Sequence, residues 1–198
     1  MAIDAIDQRS TLSSAAVVIG GYPFRGQVPE SESGAIRVVQ MKDIGASGDI
    51  DWAGTIRTNL PGKRSPDFLQ ADDVLVLVRG RHNPAVFLNT VPHAAVSSLH
   101  FFLVRPNKAS SLLPEFLAWQ INQEPAQRYL QQNAEGSDQR SIRRAVLEGL
   151  PIVLPALPTQ QVILNLARAA RRERQLLHAF INARERELQA VARHFLRT

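Results

Sequence analysis

The chain has 198 residues, 44% hydrophobic and 21% charged, with a formal net charge of +5, which is enough apolar mass for one core of ordinary size plus an appendage. No run approaches the roughly 18 apolar residues of a membrane span, and the opening MAIDAIDQRS carries two acids and no basic-then-apolar leader pattern, so a cytoplasmic protein with no membrane partner is expected. With zero cysteines, and five histidines (His82, His93, His100, His178, His194) that never stand at paired ligand spacing, the composition argues against disulfides and a structural zinc.

Residues 15–20 and 35–41 are short, β-branched and flanked by glycine or charge, and both read as strands. Between them, 21–34 is rich in glycine, proline and serine and reads as a loop. From Lys42 to Pro66 the chain is polar and broken by Gly45, Gly48, Gly54, Pro61 and Gly62, a long excursion from the sheet that carries Lys63 and Arg64. The run Asp73 to Val78 suits a strand buried on both faces, and it empties into Arg79-Gly80-Arg81-His82-Asn83-Pro84. Residues 85–88 and 100–105 are two further strands, separated by 91–98.

Pro114 fits the first position of a helix ending near Asn122, with Phe116, Leu117 and Ile121 on one face. Pro125 opens a second helix, 126–132. Ser141 is expected to cap a short helix through Leu147. The proline-spaced 150–158 is extended. Thr159 is the expected N-cap of a helix that meets no proline or glycine to the C-terminus, roughly 55 Å at about 1.5 Å per residue.

That helix carries the charge excess: from Pro158 onward there are eight arginines against three glutamates, while the residues before it sum to zero. Ile163, Leu166, Ala170, Leu177, Phe180, Arg184, Leu188, Val191 and Phe195 step by threes and fours, a heptad-like seam interrupted by Glu173 and Arg184. Such a seam calls for a helical partner; the plainer alternative is a helix folded back over its own domain. Division into residues 1–157 and 158–198 follows. The fold class expected is α+β, a mixed-sheet head followed by a long coiled-coil-type helix.

Catalytic signatures are missing. There is no G-x-S-x-G elbow, no phosphate-binding glycine-lysine loop, and no G-x-G-x-x-G after a strand. Asp67, Asp72 and Asp73 suit turn and strand-start roles better than a nuclease cluster, because no Glu-x-Lys follows. Asn83-Pro84-Ala85-Val86 lacks the second proline and the aromatic residue of an adenine-methyltransferase motif.

Four local patterns occur in a telling order: Val39-Gln40-Met41-Lys42-Asp43-Ile44; Leu69-Gln70-Ala71-Asp72-Asp73-Val74-Leu75-Val76-Leu77-Val78-Arg79-Gly80; Leu113-Pro114-Glu115-Phe116-Leu117-Ala118-Trp119-Gln120-Ile121-Asn122; and Ile152-Val153-Leu154-Pro155 running to Gln160-Gln161. Together they resemble the DNA specificity (S) subunit of type I restriction-modification systems, over nearly the whole chain. Two features depart from that family. One target-recognition domain and one long helix stand where two of each are usual, and Asp72 stands where glycine is common. The resemblance implies 1–157 as a DNA-reading domain and 158–198 as a helix for subunit docking. It implies no catalysis by this chain and no cofactor on it, S-adenosylmethionine being held by the partner. The implied partners are double-stranded DNA and DNA adenine methyltransferase (M) subunits, with room for a restriction subunit and for self-association through the terminal helix. Either two copies pair to read a symmetric bipartite site, or one copy with methyltransferase subunits reads an undivided one.

Under that resemblance, the residue chemistry nominates Arg79, Gly80, Arg81, His82 and Asn83 for base reading, since arginine bonds guanine and asparagine bonds adenine in bidentate fashion. Lys42, Lys63 and Arg64 are expected on phosphate, with Ser97, Ser98 and the 136–140 loop as weaker candidates. Docking falls to Ile163, Leu166, Leu177, Phe180, Leu188, Val191 and Phe195. The competing class is a helical adaptor or oligomerisation protein that never meets DNA.

Overall fold

Short β-branched runs become strands here, and the proline-led segments become helices. The structure, a computed structural model, describes residues 8–45, 48–60, 65–136 and 140–196. In chain order these form β1 (Gln8–Thr11), α1 (Leu12–Ala15), β2 (Ala16–Gly20), β3 (Ile36–Val39), β4 (Ile56–Thr58), β5 (Val74–Leu77), β6 (Ala85–Phe87), β7 (Ala95–Ser97) and β8 (Phe101–Pro106). There follow α2 (Pro114–Ile121), α3 (Glu124–Gln132), α4 (Arg144–Glu148), β9 (Pro151–Leu154) and α5 (Leu157–Phe195). The architecture is α+β, as the sequence leads one to expect. The chain divides into two units, Met1–Leu157 and Pro158–Thr198.

In the first unit an antiparallel sheet runs in the order β2-β8-β5-β6, and a mixed sheet runs β4-β3-β7, with β3 antiparallel to β4 and parallel to β7. The apolar run after Asp73 becomes a central strand: Val74, Leu75 and Val76 are all 0% exposed. Alternation along it sends Leu75 into a core with Val86, Phe101 and Leu103, joined by Val39 and Ala95 of the mixed sheet. Helix α2 packs over β5 and β6 and buries Phe116, Leu117 and Ile121. A third pairing, β1 with β9, joins the start of the described chain to the strand preceding α5.

Three side-chain amides tie the helices to the strands. Gln120 accepts from the Val153 amide and donates to its carbonyl, both at 2.9 Å. Asn122 does the same to Ala85 at 2.9 and 2.8 Å. Gln127 does it to Asn83, both at 2.9 Å. Each amide copies the donor and acceptor of a neighbouring strand, so α2 and α3 satisfy backbone groups that a short sheet would leave open.

Several local expectations are corrected. Strands β1, β4 and β7 stand where no strand is expected, because three- or four-residue strands are too short to show periodicity. Ser141 caps no helix; it bridges Glu135 and Arg79, and α4 starts at Arg144 with no side-chain cap. Thr159 lies inside α5, which begins at Leu157 with Pro158 in its first turn, where a missing N–H costs nothing. Asp72 adopts φ +71°, the left-handed turn conformation for which glycine is the usual choice.

Candidate nucleic-acid interface

Strand β5 ends at Leu77, and its continuation turns sharply. Gly80 takes φ +122°, open to glycine and strained for other residues. The turn is pinned from two sides. Val78 accepts from Ile142 at 3.0 Å, Arg79 bridges Ser141, and the Gly80 amide donates to the Arg140 carbonyl at 3.0 Å. From α3, Gln131 donates to the Arg81 carbonyl at 2.8 Å.

The result is a corner at which Arg79, Arg81, His82 and Arg140 are all exposed on braced backbone. Arg140 also donates to the Gln131 carbonyl at 3.3 Å, which ties it to the same framework. Backbone held by hydrogen bonds positions long cationic side chains at low ordering cost.

Asn83 does not share that exposure, which corrects its nomination as a base reader. It is 2% exposed, and its amide nitrogen donates inward to the carbonyls of Leu77 and Val78 at 2.8 and 3.2 Å. A donor pair committed to the backbone cannot also face an adenine edge. Ser97 is likewise buried, in β7. Ser98 is 5% exposed, but it borders a cleft and its hydroxyl lies 3.4 Å from His100 Nδ1.

That cleft, about 860 Å³, joins segments distant in sequence. Arg79, Ser98, Leu99 and His100 form one side, and Tyr22, Phe24, residues 26–30, Gln40 and Ile56 complete it. Tyr22 and Phe24 lie ring to ring at 4.8 Å, and Leu99 is 54% exposed. The outer wall is held by β4: Thr58 donates its hydroxyl to the Pro29 carbonyl at 2.6 Å, and Ser31 N–H donates to the Arg57 carbonyl at 2.9 Å. Gly21 makes the joint possible, since a Cβ there would stand 2.0 Å from the Ser98 carbonyl oxygen.

Tyr22, Phe24, Gln40 and His100 are therefore candidate site residues that reading the sequence misses, whereas Arg140 belongs to the 136–140 loop it nominates. The alternation of aromatic, basic and glycine residues in Gly21-Tyr22-Pro23-Phe24-Arg25-Gly26 was the signal available. Lys42 is exposed on a 3-10 turn, Met41–Asp43, next to Gln40. Lys63 and Arg64 lie outside the described residues, as do residues 137–139 of the 136–140 loop.

Two acids in the four local sequence patterns hold backbone. Asp43 accepts from the Gln40 amide at 2.8 Å, and Asp73 accepts from the Gln70 amide at 2.8 Å, the same i to i−3 turn twice. Burial pushes the Asp43 carboxyl above its ordinary range, against the opposing pulls of the Gln40 N–H and of Lys42. Asp73, 1% exposed at its side chain, takes both Arg105 donors, Nε at 2.7 Å and a terminal nitrogen at 2.8 Å. That hydrogen-bonded pairing raises the Arg105 pKa above its ordinary value. Arg105 also donates to the Phe68 carbonyl at 2.9 Å.

In the second unit α5 runs 39 residues. Leu166, Leu177, Phe180, Leu188, Val191 and Phe195 are 49 to 77% exposed, whereas Ile163 is half-buried and Leu164 is 2% exposed. Among the described residues, no helix is long and apolar enough to cross a membrane, and no group of three or more His, Asp or Glu is placed to hold a metal ion.

No family model and no curated protein matches the sequence. Solved structures do match. The S subunit of the type I restriction-modification system of M. genitalium superposes with a TM-score of 0.59 at 14% identity, over 98% of this chain and 47% of that one. The HsdS subunit of Thermoanaerobacter tengcongensis gives 0.54 at 17% identity, over 100% and 42%. A chain from a type I R-M system, described for its complex assembly and conformational transition, gives 0.58 at 19% identity, over 98% and 45%. The chain spans a little under half the length of these structures. Its fold is that of type I S subunits, head and long helix included.

Proposed function

We propose that this chain is a DNA specificity subunit of a restriction-modification complex, working in the cytoplasm and doing no chemistry itself. The observation that carries the reading is the likeness to S subunits over the head and the long helix together. The exposed arginine corner beside the cleft supports it, because it offers rigidly mounted guanidinium groups where the family's role requires base recognition.

In this reading Arg79 and Arg81 contact base edges in the major groove, and Gly80 lets the backbone approach. Gln40 and His100 add donors and acceptors from the cleft side. Lys42 and Arg140 hold phosphate and set register; Lys63 and Arg64 are assigned to phosphate by residue type alone. Asn83 is structural. Helix α5 is the handle for protein partners, DNA adenine methyltransferase subunits first, and these bind the S-adenosylmethionine.

The test compares a duplex selected from a random pool with a scrambled control. Arg79→Ala with Arg81→Ala is expected to weaken binding to the selected duplex by roughly 10- to 100-fold, with far less effect on the control. Equal losses on both duplexes would mean that these arginines touch phosphate only.

A further inference from the structure

Between β7 and β8 the chain reverses in a tight turn, Ser98-Leu99-His100-Phe101, closed by the Phe101 N–H on the Ser98 carbonyl at 3.1 Å. Ser98 and Phe101 are buried, while Leu99 at the tip is 54% exposed. The ends of three other strands brace the turn. Ser98 N–H donates to the Val39 carbonyl of β3 at 2.9 Å, and Gly21 N–H, just after β2, donates to the Phe101 carbonyl at 3.1 Å. Val78 N–H, just after β5, donates to the His100 carbonyl at 2.8 Å. A single exposed leucine is ordinary. This one stands at a turn tip, where glycine and short polar residues are the usual choice, and its backbone is held fixed from three sides.

The strand register says what stands beside it. Along β5 and β8 Leu77 lies opposite Phe101, and the bond from Val78 to His100 extends the pairing. Carried one residue further, that register sets Arg79 across from Leu99, and both line the cleft, together with the Tyr22–Phe24 ring pair. Residues opposite one another on antiparallel strands have Cβ atoms about 5 Å apart. A guanidinium and an apolar side chain are therefore presented as a pair, on braced backbone, at the surface assigned above to base reading.

The major groove offers few partners for a leucine. Guanine, adenine and cytosine show ring nitrogens, carbonyls and amino groups there, and the one apolar group on unmodified base pairs is the 5-methyl of thymine. Leucine set against any of the polar edges would strip water from it and return no hydrogen bond, a net cost. Against the methyl it buries apolar surface on both sides, a net gain.

We infer that Leu99 reads a thymine through its 5-methyl group, within one base step of the base that Arg79 reads, so that the sequence this chain prefers carries a T·A pair beside that base. The inference rests on the head being a DNA reader and names one of the bases it reads. The same methyl occurs on 5-methylcytosine, and the test separates the two sources.

The full chain is titrated with the duplex selected from the random pool and with copies that carry deoxyuridine at one thymine at a time. Each copy loses a methyl and keeps every hydrogen-bonding group. One position, beside the base pair whose identity ceases to matter in Arg79→Ala, is expected to lose about fourfold in affinity, the worth of one buried methyl. Leu99→Ala is expected to bind the thymine and deoxyuridine duplexes equally, and Leu99→Met to keep the preference. Both variants should unfold close to the wild-type temperature by circular dichroism, because the side chain is more than half exposed. Deoxyuridine without effect at every position, or a thymine preference that survives in Leu99→Ala, would overturn the inference; in the first case a large loss on Leu99→Ala would mark the leucine as a wedge between base pairs. Methylating the cytosines of the selected duplex at C5 is expected to gain nothing, and a gain abolished by Leu99→Ala would give the leucine to 5-methylcytosine instead. A pool that yields no preferred sequence would sink the proposed function, and this inference with it.

Discussion

Asp73 shows how a residue in a recurring pattern can be structural. Its carboxylate is buried, caps the turn at Gln70 and takes two bonds from Arg105. Replacing it by alanine leaves a part-buried guanidinium without its anion. The expected loss is roughly 3 kcal/mol, less than for a fully sealed pair because Arg105 keeps 30% exposure. Urea denaturation checks this: the midpoint should fall with an unchanged slope, and Asp73→Leu with Arg105→Met should recover much of it. Asn83 teaches the complementary lesson. In sequence it sits among arginines at a strand end and reads as a recognition side chain; in the fold its amide closes the turn that presents those arginines.

Among the elements, the three-residue strands matter most. β4 and β7 carry almost no sequence signal, yet β4 anchors the 26–30 wall of the cleft and β7 brings Ser98 beside Tyr22. The junction of β2 with β7 depends on Gly21. Gly21→Ala places a methyl inside backbone contact distance of Ser98, so one of the two strands must shift. A loss of about 1 to 3 kcal/mol is expected from such overpacking. DNA affinity should fall as well, at temperatures where the variant is still folded, because the cleft would open along that joint. A variant that loses stability while binding the selected duplex normally would show that the cleft is not part of the reading surface.

For the whole molecule, salt separates the DNA reader from a helical adaptor. Neutralising phosphates releases counterions, so the logarithm of the binding constant should fall linearly with the logarithm of salt, by about 0.9 per phosphate neutralised. With Lys42, Lys63, Arg64 and Arg140 assigned to phosphate, a slope of about −3 to −4 is expected in titrations by fluorescence anisotropy. A slope near zero would leave the chain as a partner-binding helix on a folded head.

What the sequence alone determined lies close to its local chemistry. The apolar run after Asp73 had to be a central strand, the prolines at 114 and 125 had to open helices, and the unbroken tail had to be one long helix. Each follows from backbone sterics or from the number of faces a side-chain pattern can bury. The candidate surface was decided by tertiary structure. Tyr22, Gln40, Ile56, Arg79 and His100 converge only because the strands that precede or carry them pair across long sequence separations. Whether a polar side chain at a strand end faces solvent, as Arg81 does, or is spent on backbone, as Asn83 is, depends on how the chain turns back on the end of β5, where the Leu77 and Val78 carbonyls take the Asn83 amide.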